Sequence, residues 1–207
     1  MTVADHYHLG DDAADVLREV GNIGAGHAAT ALSKLLHQSV EMQVPQVELI
    51  PFDEIADVVG GPESIVACVY LKVTGDLTGN MFLIQSLDSA KQLTGQILPD
   101  KMPVEVLDEL ELSALGEMGN ILTASYLTSL TDFTKLKMYP SIPYISIDMA
   151  QAILTVGLLS DAPLGDYALV IHTTIHIISA MERAHIFLLP DPGEELVLLH
   201  ALGVASE

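Results

Sequence analysis

The sequence predicts an α/β fold of the α+β kind, a unit duplicated about a pseudo-two-fold axis with long motif-bearing helices packed on a largely antiparallel sheet. Three observations predict it. Glu19–Asn22 reads EVGN and Glu117–Asn120 reads EMGN, and the offset of 98 residues between them also relates Pro45 to Pro143. Around each motif the chain runs through the same order of patterns, so the duplication covers halves of about 11–98 and 106–202 within a single domain spanning 1–207. Each half supplies both helix-period and strand-like stretches, which bury their apolar faces most economically as layers of helix on sheet.

The first half opens with helical spacing from about Asp11 to His37. An extended stretch follows, VEMQVPQVELIPF from Val40 to Phe52, and then a short helical piece. SIVACVYLKV and GNMFLIQSL read as strands separated by the turn signal TGDLTG, and DSAKQLTGQIL reads as a closing helix. Pro99, Asp100 and Pro103 punctuate the chain before the plan repeats. The second half is helical from Val106 to Phe133, extended over KLKMYPSIPYISID and helical over MAQAILTVGLL. It is strand-like over YALVIHTTIHII and AHIFLL, and ends in EELVLLHALGV.

Composition narrows the function classes. Half of the 207 residues are hydrophobic, enough for a substantial core. The longest apolar candidate for a membrane span, Tyr167 to Ala180, is too short and contains His172 and His176, so no span is expected. The first residues carry acids where a secretory leader has a basic segment, and Cys68 is the only cysteine, so a cytoplasmic protein without disulfides is expected. Eight Lys and Arg against 28 Asp and Glu leave a formal net charge of −20, which repels a phosphate backbone and argues against nucleic acid.

Gly21, Gly24 and Gly26 invite comparison with a dinucleotide-binding loop. That loop requires a buried strand before its first glycine, and DDAADVLREV has helical spacing instead. The second half replaces Gly24 and Gly26 with Leu122 and Ala124 but keeps Glu-x-Gly-Asn. At about 100° per residue, Asp15, Glu19 and Asn22 form a polar stripe, with Leu17, Val20, Gly24, Ala28, Ala31 and Leu35 opposite. Ser113, Glu117 and Asn120 repeat the stripe, with Leu115, Met118, Leu122, Tyr126 and Phe133 behind. Tight helix packing is the expected use of most of these glycines, while Gly26 lies on the polar face where a partner's surface comes close. Asparagine is a poor helix-interior residue, so its repetition on an exposed stripe asks for a compensating reason. An amide that both donates and accepts suits the positioning of a water molecule, and a carboxylate one turn away suits a cation on a partner.

Asp or Ser, then Glu, Asn and Pro at matched spacing occur twice, as Asp15, Glu19, Asn22, Pro45 and as Ser113, Glu117, Asn120, Pro143. This pattern, with the run NIGAGHAATALSKLL, resembles the CheC, CheX and FliY family of chemotaxis phosphatases over nearly the whole chain. The resemblance implies hydrolysis of the aspartyl phosphate on a CheY-type receiver domain. It implies that Asn22 and Asn120 orient the attacking water and that Glu19 and Glu117 dock the receiver's lysine. Asp15 and Ser113 then have supporting roles, and Pro45 and Pro143 shape the segment after each helix. Mg²⁺ is expected on the receiver, with no cofactor or metal in this chain. CheD, a receptor-modifying deamidase, is implied as a further partner.

Other chemistries fit less well. The pairs His6/His8 and His172/His176 offer metal ligands, yet neither has an evident third ligand at defining spacing. The chain has no G-x-S-x-G elbow, and Cys68 sits inside an apolar strand pattern. The main alternative is a noncatalytic adaptor or flagellar-switch-like module that binds phosphorylated receiver or CheD. The intact Glu and Asn of both copies favour the enzyme.

Overall fold

A computed structural model describes residues 11–98, 106–159, 167–177 and 180–202. Helix α1 (Asp11–Leu36) leads into β1 (Val40–Pro51), a 3-10 turn (Phe52–Glu54), α2 (Ile55–Val58), the hairpin β2 (Ile65–Gly75) and β3 (Gly79–Ser86), and α3 (Leu87–Ile97). Helix α4 (Glu109–Thr134) then leads into β4 (Met138–Pro140), β5 (Tyr144–Met149), α5 (Ala150–Leu159), β6 (Tyr167–Ile177), β7 (Ala180–Pro190) and α6 (Glu195–Ala201). The two long helices are each 26 residues and, like β1 and the β4–β5 segment, keep the 98-residue offset at both ends.

The sheet order is β1-β6-β7-β3-β2-β4, with β5 also paired to β2 and all pairings antiparallel. Labelled by half, this order is symmetric about the β7–β3 pair. The first strand of each half pairs with a strand of the other half, β1 with β6 and β4–β5 with β2. The halves are thus interleaved, and neither motif segment has its sheet without the other half.

One face of the sheet carries the larger core, in which α1, α3, α4 and α6 bury Leu17, Val20, Leu32, Leu93, Leu115, Met118, Leu122 and Leu198 against Val69, Leu71, Ile171 and Ile186. The other face is covered by α2 and α5, with Ile55, Ile153 and Leu154 over Phe82, Ile84, Val170 and Phe187. Strand β3 is apolar on both sides because it lies between these layers. Tyr126 passes from α4 to β6, where its hydroxyl meets Thr173 Oγ1 at 3.1 Å, and burial pushes its phenol up to about 12.

Helix α4 begins three residues later than the periodicity implies. Asp108 Oδ1 accepts from the N–H groups of Leu110 and Glu111, and Glu111 Oε2 accepts from Asp108 N–H, so a capping box sets the start. Leu35 and Phe133, expected on the buried stripe, are exposed. Burial moves to Leu32 and to Leu130 and Thr134 in the final turns, as happens when straight helices cross a twisted sheet.

The histidines on β6 and β7 serve the sheet surface. His172 Nε2 lies 2.6 Å from Glu48 Oε1 on β1, and His172 Nδ1 lies 3.0 Å from His185 Nδ1 on β7. His6 and His8 lie outside the described residues. Burial, then the charges of His172 and Arg183, hold His185 down to about 4 against some opposition from Glu48. The unfolded chain takes up a proton on this histidine near pH 6.5. Stability present above that pH is therefore lost as pH falls from about 6.5 towards 4. Thermal melts from pH 7 to 4.5 are expected to show a smaller loss in His185→Phe than in the parent chain. Cys68 is fully buried, and burial raises its thiol well above the ordinary range, so it has no thiolate for chemistry.

Candidate functional site

Helix α1 lies against β1 of its own half, and α4 lies over β4 and β5 of its own half and β2 of the other, at opposite ends of the sheet. Glycine permits the approach. A Cβ on Gly21 would stand 3.2 Å from Val44 Cγ1 of β1, and one on Gly119 would stand 2.8 Å from both γ carbons of Val69 on β2. A Cβ on Gly24 would meet Tyr126 Cδ1 at 2.9 Å and its Cα at 3.2 Å, so Gly24 is where α1 crosses α4. Gly26 is exposed with open space around it.

The polar stripes face solvent: Asp15, Glu19, Asn22, Ser113 and Glu117 are exposed, and Asn120 is half-buried. Asp15 Oδ1 pairs with Arg18 Nη2 at 3.0 Å, and Ser113 Oγ donates to Glu109 O at 2.7 Å. Both are local contacts on the helix surface. Among the described residues, Glu19 and Glu117 have no hydrogen-bond or ion-pair partner. They are available to a cation from outside.

The two asparagines differ. Asn22 Oδ1 accepts from Val44 N–H at 3.0 Å, and its Nδ2 donates to Arg18 O at 3.0 Å and to Val44 O at 3.4 Å. Strand β1 slips register against β6 between Gln43 and Gln46, leaving Val44 and Pro45 outside the paired ladder. Proline removes a donor and belongs at such bulges, and the side chain of Asn22 satisfies the bulged residue beside it. The amide of Asn120 bonds no described residue and keeps contact with solvent.

The counterpart segment explains the difference. Where β1 bulges, residues 141–143 break the strand between β4 and β5. Ser141 N–H donates to Lys72 O at 2.8 Å, and its Oγ accepts from Lys72 N–H at 3.0 Å while donating to Ile142 O at 2.9 Å. Val44 is 2% exposed, whereas Ile142, at the equivalent position, is 89% exposed. Gly119 packs on Val69 instead of on this residue, and Asn120 is left without the strand contact that holds Asn22. The hold of Asn22 on Val44 was not read from the sequence, although the proline 23 residues on, inside an extended run, is the signal of a bulge needing a partner.

The site is thus a duplicated α/β layer with an exposed carboxylate and a neighbouring amide on each of its two long helices. The fold is that of Thermotoga maritima FliY, with a TM-score of 0.73 at 20% identity over 95% of this chain and 98% of that one. The chain belongs to the CheC-like family, whose model matches residues 13–49 and 110–147, the two helix-to-strand segments that hold the motifs. It is 43% identical to the CheY-P phosphatase CheC of Bacillus subtilis over 94% of this chain and 96% of that protein. It is also 33% identical to the flagellar motor switch phosphatase FliY of the same organism, covering 64% of this chain and 35% of that longer protein.

Proposed function

We propose that this protein is a phosphatase acting on the aspartyl phosphate of a CheY-type receiver domain. The observation that carries the reading is the solvent-accessible amide of Asn120, one turn from the carboxylate of Glu117, neither of which bonds a described residue. Glu117 docks a cation of the receiver, and the Asn120 amide accepts from and donates to a water, aligning it with the phosphorus for in-line attack. The water's oxygen bonds to phosphorus as the bond to the aspartyl oxygen breaks, giving inorganic phosphate and a free carboxylate. Such a transfer asks mainly for alignment and charge stabilisation, and Mg²⁺ on the receiver supplies the latter. Membership of the CheC-like family and likeness to the B. subtilis phosphatase support this reading. A cytoplasmic location and pairing with CheD belong to the same proposal.

The first copy carries a second, narrower reading. Asn22 has both its amide groups engaged by the backbone, so Glu19 and Asn22 form a docking helix with little water-orienting capacity. The test is phosphate release from a phosphorylated receiver, with and without the protein and its asparagine variants. Release unaffected by the wild-type chain, with the phosphorylated receiver nevertheless bound, replaces the phosphatase with an adaptor.

The net charge of −20 adds a salt dependence. An acidic receiver approaches against a repulsive field that salt screens, with a Debye length of about 10 Å at 0.1 M. kcat/KM is expected to rise between low ionic strength and about 0.15 M. A steep fall would instead reveal an attractive patch.

A further inference from the structure

We infer that Ile142 is a specificity residue of the second site, an apolar contact for the receiver domain beside Asn120. The inference rests on the phosphatase reading and deepens it. Helix α4 sits over β2 and β5 at this point: a Cβ on Gly116 would reach 2.6 Å from Ile145 Cδ1, and Gly119 faces Val69, the register partner of Ile145. Tyr144 pairs with Tyr70 one residue further, and Ser141 is tied to Lys72, so residues 142 and 143 bridge the strand break next to this helix segment. Ile142 is also the counterpart, 98 residues on, of the residue that Asn22 holds.

A large β-branched side chain that is 89% exposed contributes nothing to the core. The fold has a way to bury it, because the same position in the first copy is 2% exposed under Gly21. The second copy spends its backbone bonds on presentation instead. Ser141 anchors the preceding residue to Lys72 through two bonds and ties the Ile142 carbonyl through a third. Pro143 confines the Ile142 backbone to extended conformations. With few rotamers open to isoleucine, ordering it against a partner costs little entropy. A braced apolar tip at the strand break beside the helix segment that presents Asn120 and Glu117 is the mixture expected at a docking centre, where an apolar anchor adjoins polar groups. The occupant is the receiver that presents its aspartyl phosphate to Asn120.

The test uses the full chain with Ile142→Ser and Ile142→Leu. KM for phosphorylated receiver is expected to rise about tenfold in Ile142→Ser, equivalent to ~1.4 kcal/mol of lost docking. kcat should stay within about twofold and the melting temperature should not move. Ile142→Leu should restore KM. The Kd for a receiver activated with beryllofluoride, a mimic of the aspartyl phosphate, should move with KM. KM and Kd unchanged in Ile142→Ser would overturn the inference. If the wild-type chain binds the activated receiver but releases no phosphate, the phosphatase reading fails while the Kd comparison still decides Ile142. No binding by the wild type overturns both.

Discussion

Asn120→Ala is expected to lower phosphate release from the receiver by about 10²-fold or more, the scale on which loss of a single positioned hydrogen-bonding group acts in a transition state. The variant should melt at the parent temperature or slightly above it. The amide of Asn120 bonds no described residue, and alanine is the better helix former by several tenths of a kcal/mol. Asn22→Ala should show the reverse pattern. It strips Val44 of the partners to its N–H and C=O, a loss of about 1–2 kcal/mol after the helix-propensity gain. Such a loss lowers the melting point of a chain this size by about 2–8 °C. Its effect on phosphate release should be several-fold at most. Melting curves and phosphate-release assays on the two variants check the crossed pattern. Equal effects on activity and equal effects on stability would mean that the bond from Asn22 to Val44 does not separate the sites.

Gly119→Val should be among the most damaging single substitutions. Even the first carbon of the new side chain would sit 2.8 Å from both γ carbons of Val69 and 2.9 Å from its Cβ. Val69 is buried in β2, between β3 and β5, so it has little room to yield. Helix α4 must lift from the sheet, which costs about 3 kcal/mol at the upper end of overpacking and lowers the melting point by about 6–12 °C. Lifting the helix also moves Asn120, so phosphate release should fall more than a stability loss alone explains when measured well below the melting point. Gly26→Val is the control, since nothing lies within 4 Å of its added carbon. A Gly119 variant that melts with the control would remove glycine from the placing of this helix.

Much of this architecture was legible because helix and strand periods are local properties. The 98-residue offset anticipated two helices of equal length and two matching extended segments. The choice of Glu-x-Gly-Asn over the fuller glycine pattern picked out Gly21 and Gly119, which seat each helix on a strand, from Gly26, where an added carbon would meet nothing. What escaped was the state of the two asparagines. Their sequence surroundings match in acid, glycine and proline spacing, yet one amide is bonded to a bulge and the other bonds no described residue.

By itself, then, the sequence determined the repeated unit, the helical placement of Glu19, Asn22, Glu117 and Asn120, and the chemistry those side chains offer. Tertiary structure decided the interleaved sheet, in which each half's first strand finds its partner in the other half. It also decided which amide bonds the strand beside it. A strand break at 141–143, braced by Lys72 from a strand some 70 residues away, turns Ile142 outward and leaves Asn120 unclaimed. Backbone pairing between distant segments sets that outcome, because a side-chain amide bonds whichever backbone groups the sheet leaves unpaired within its reach.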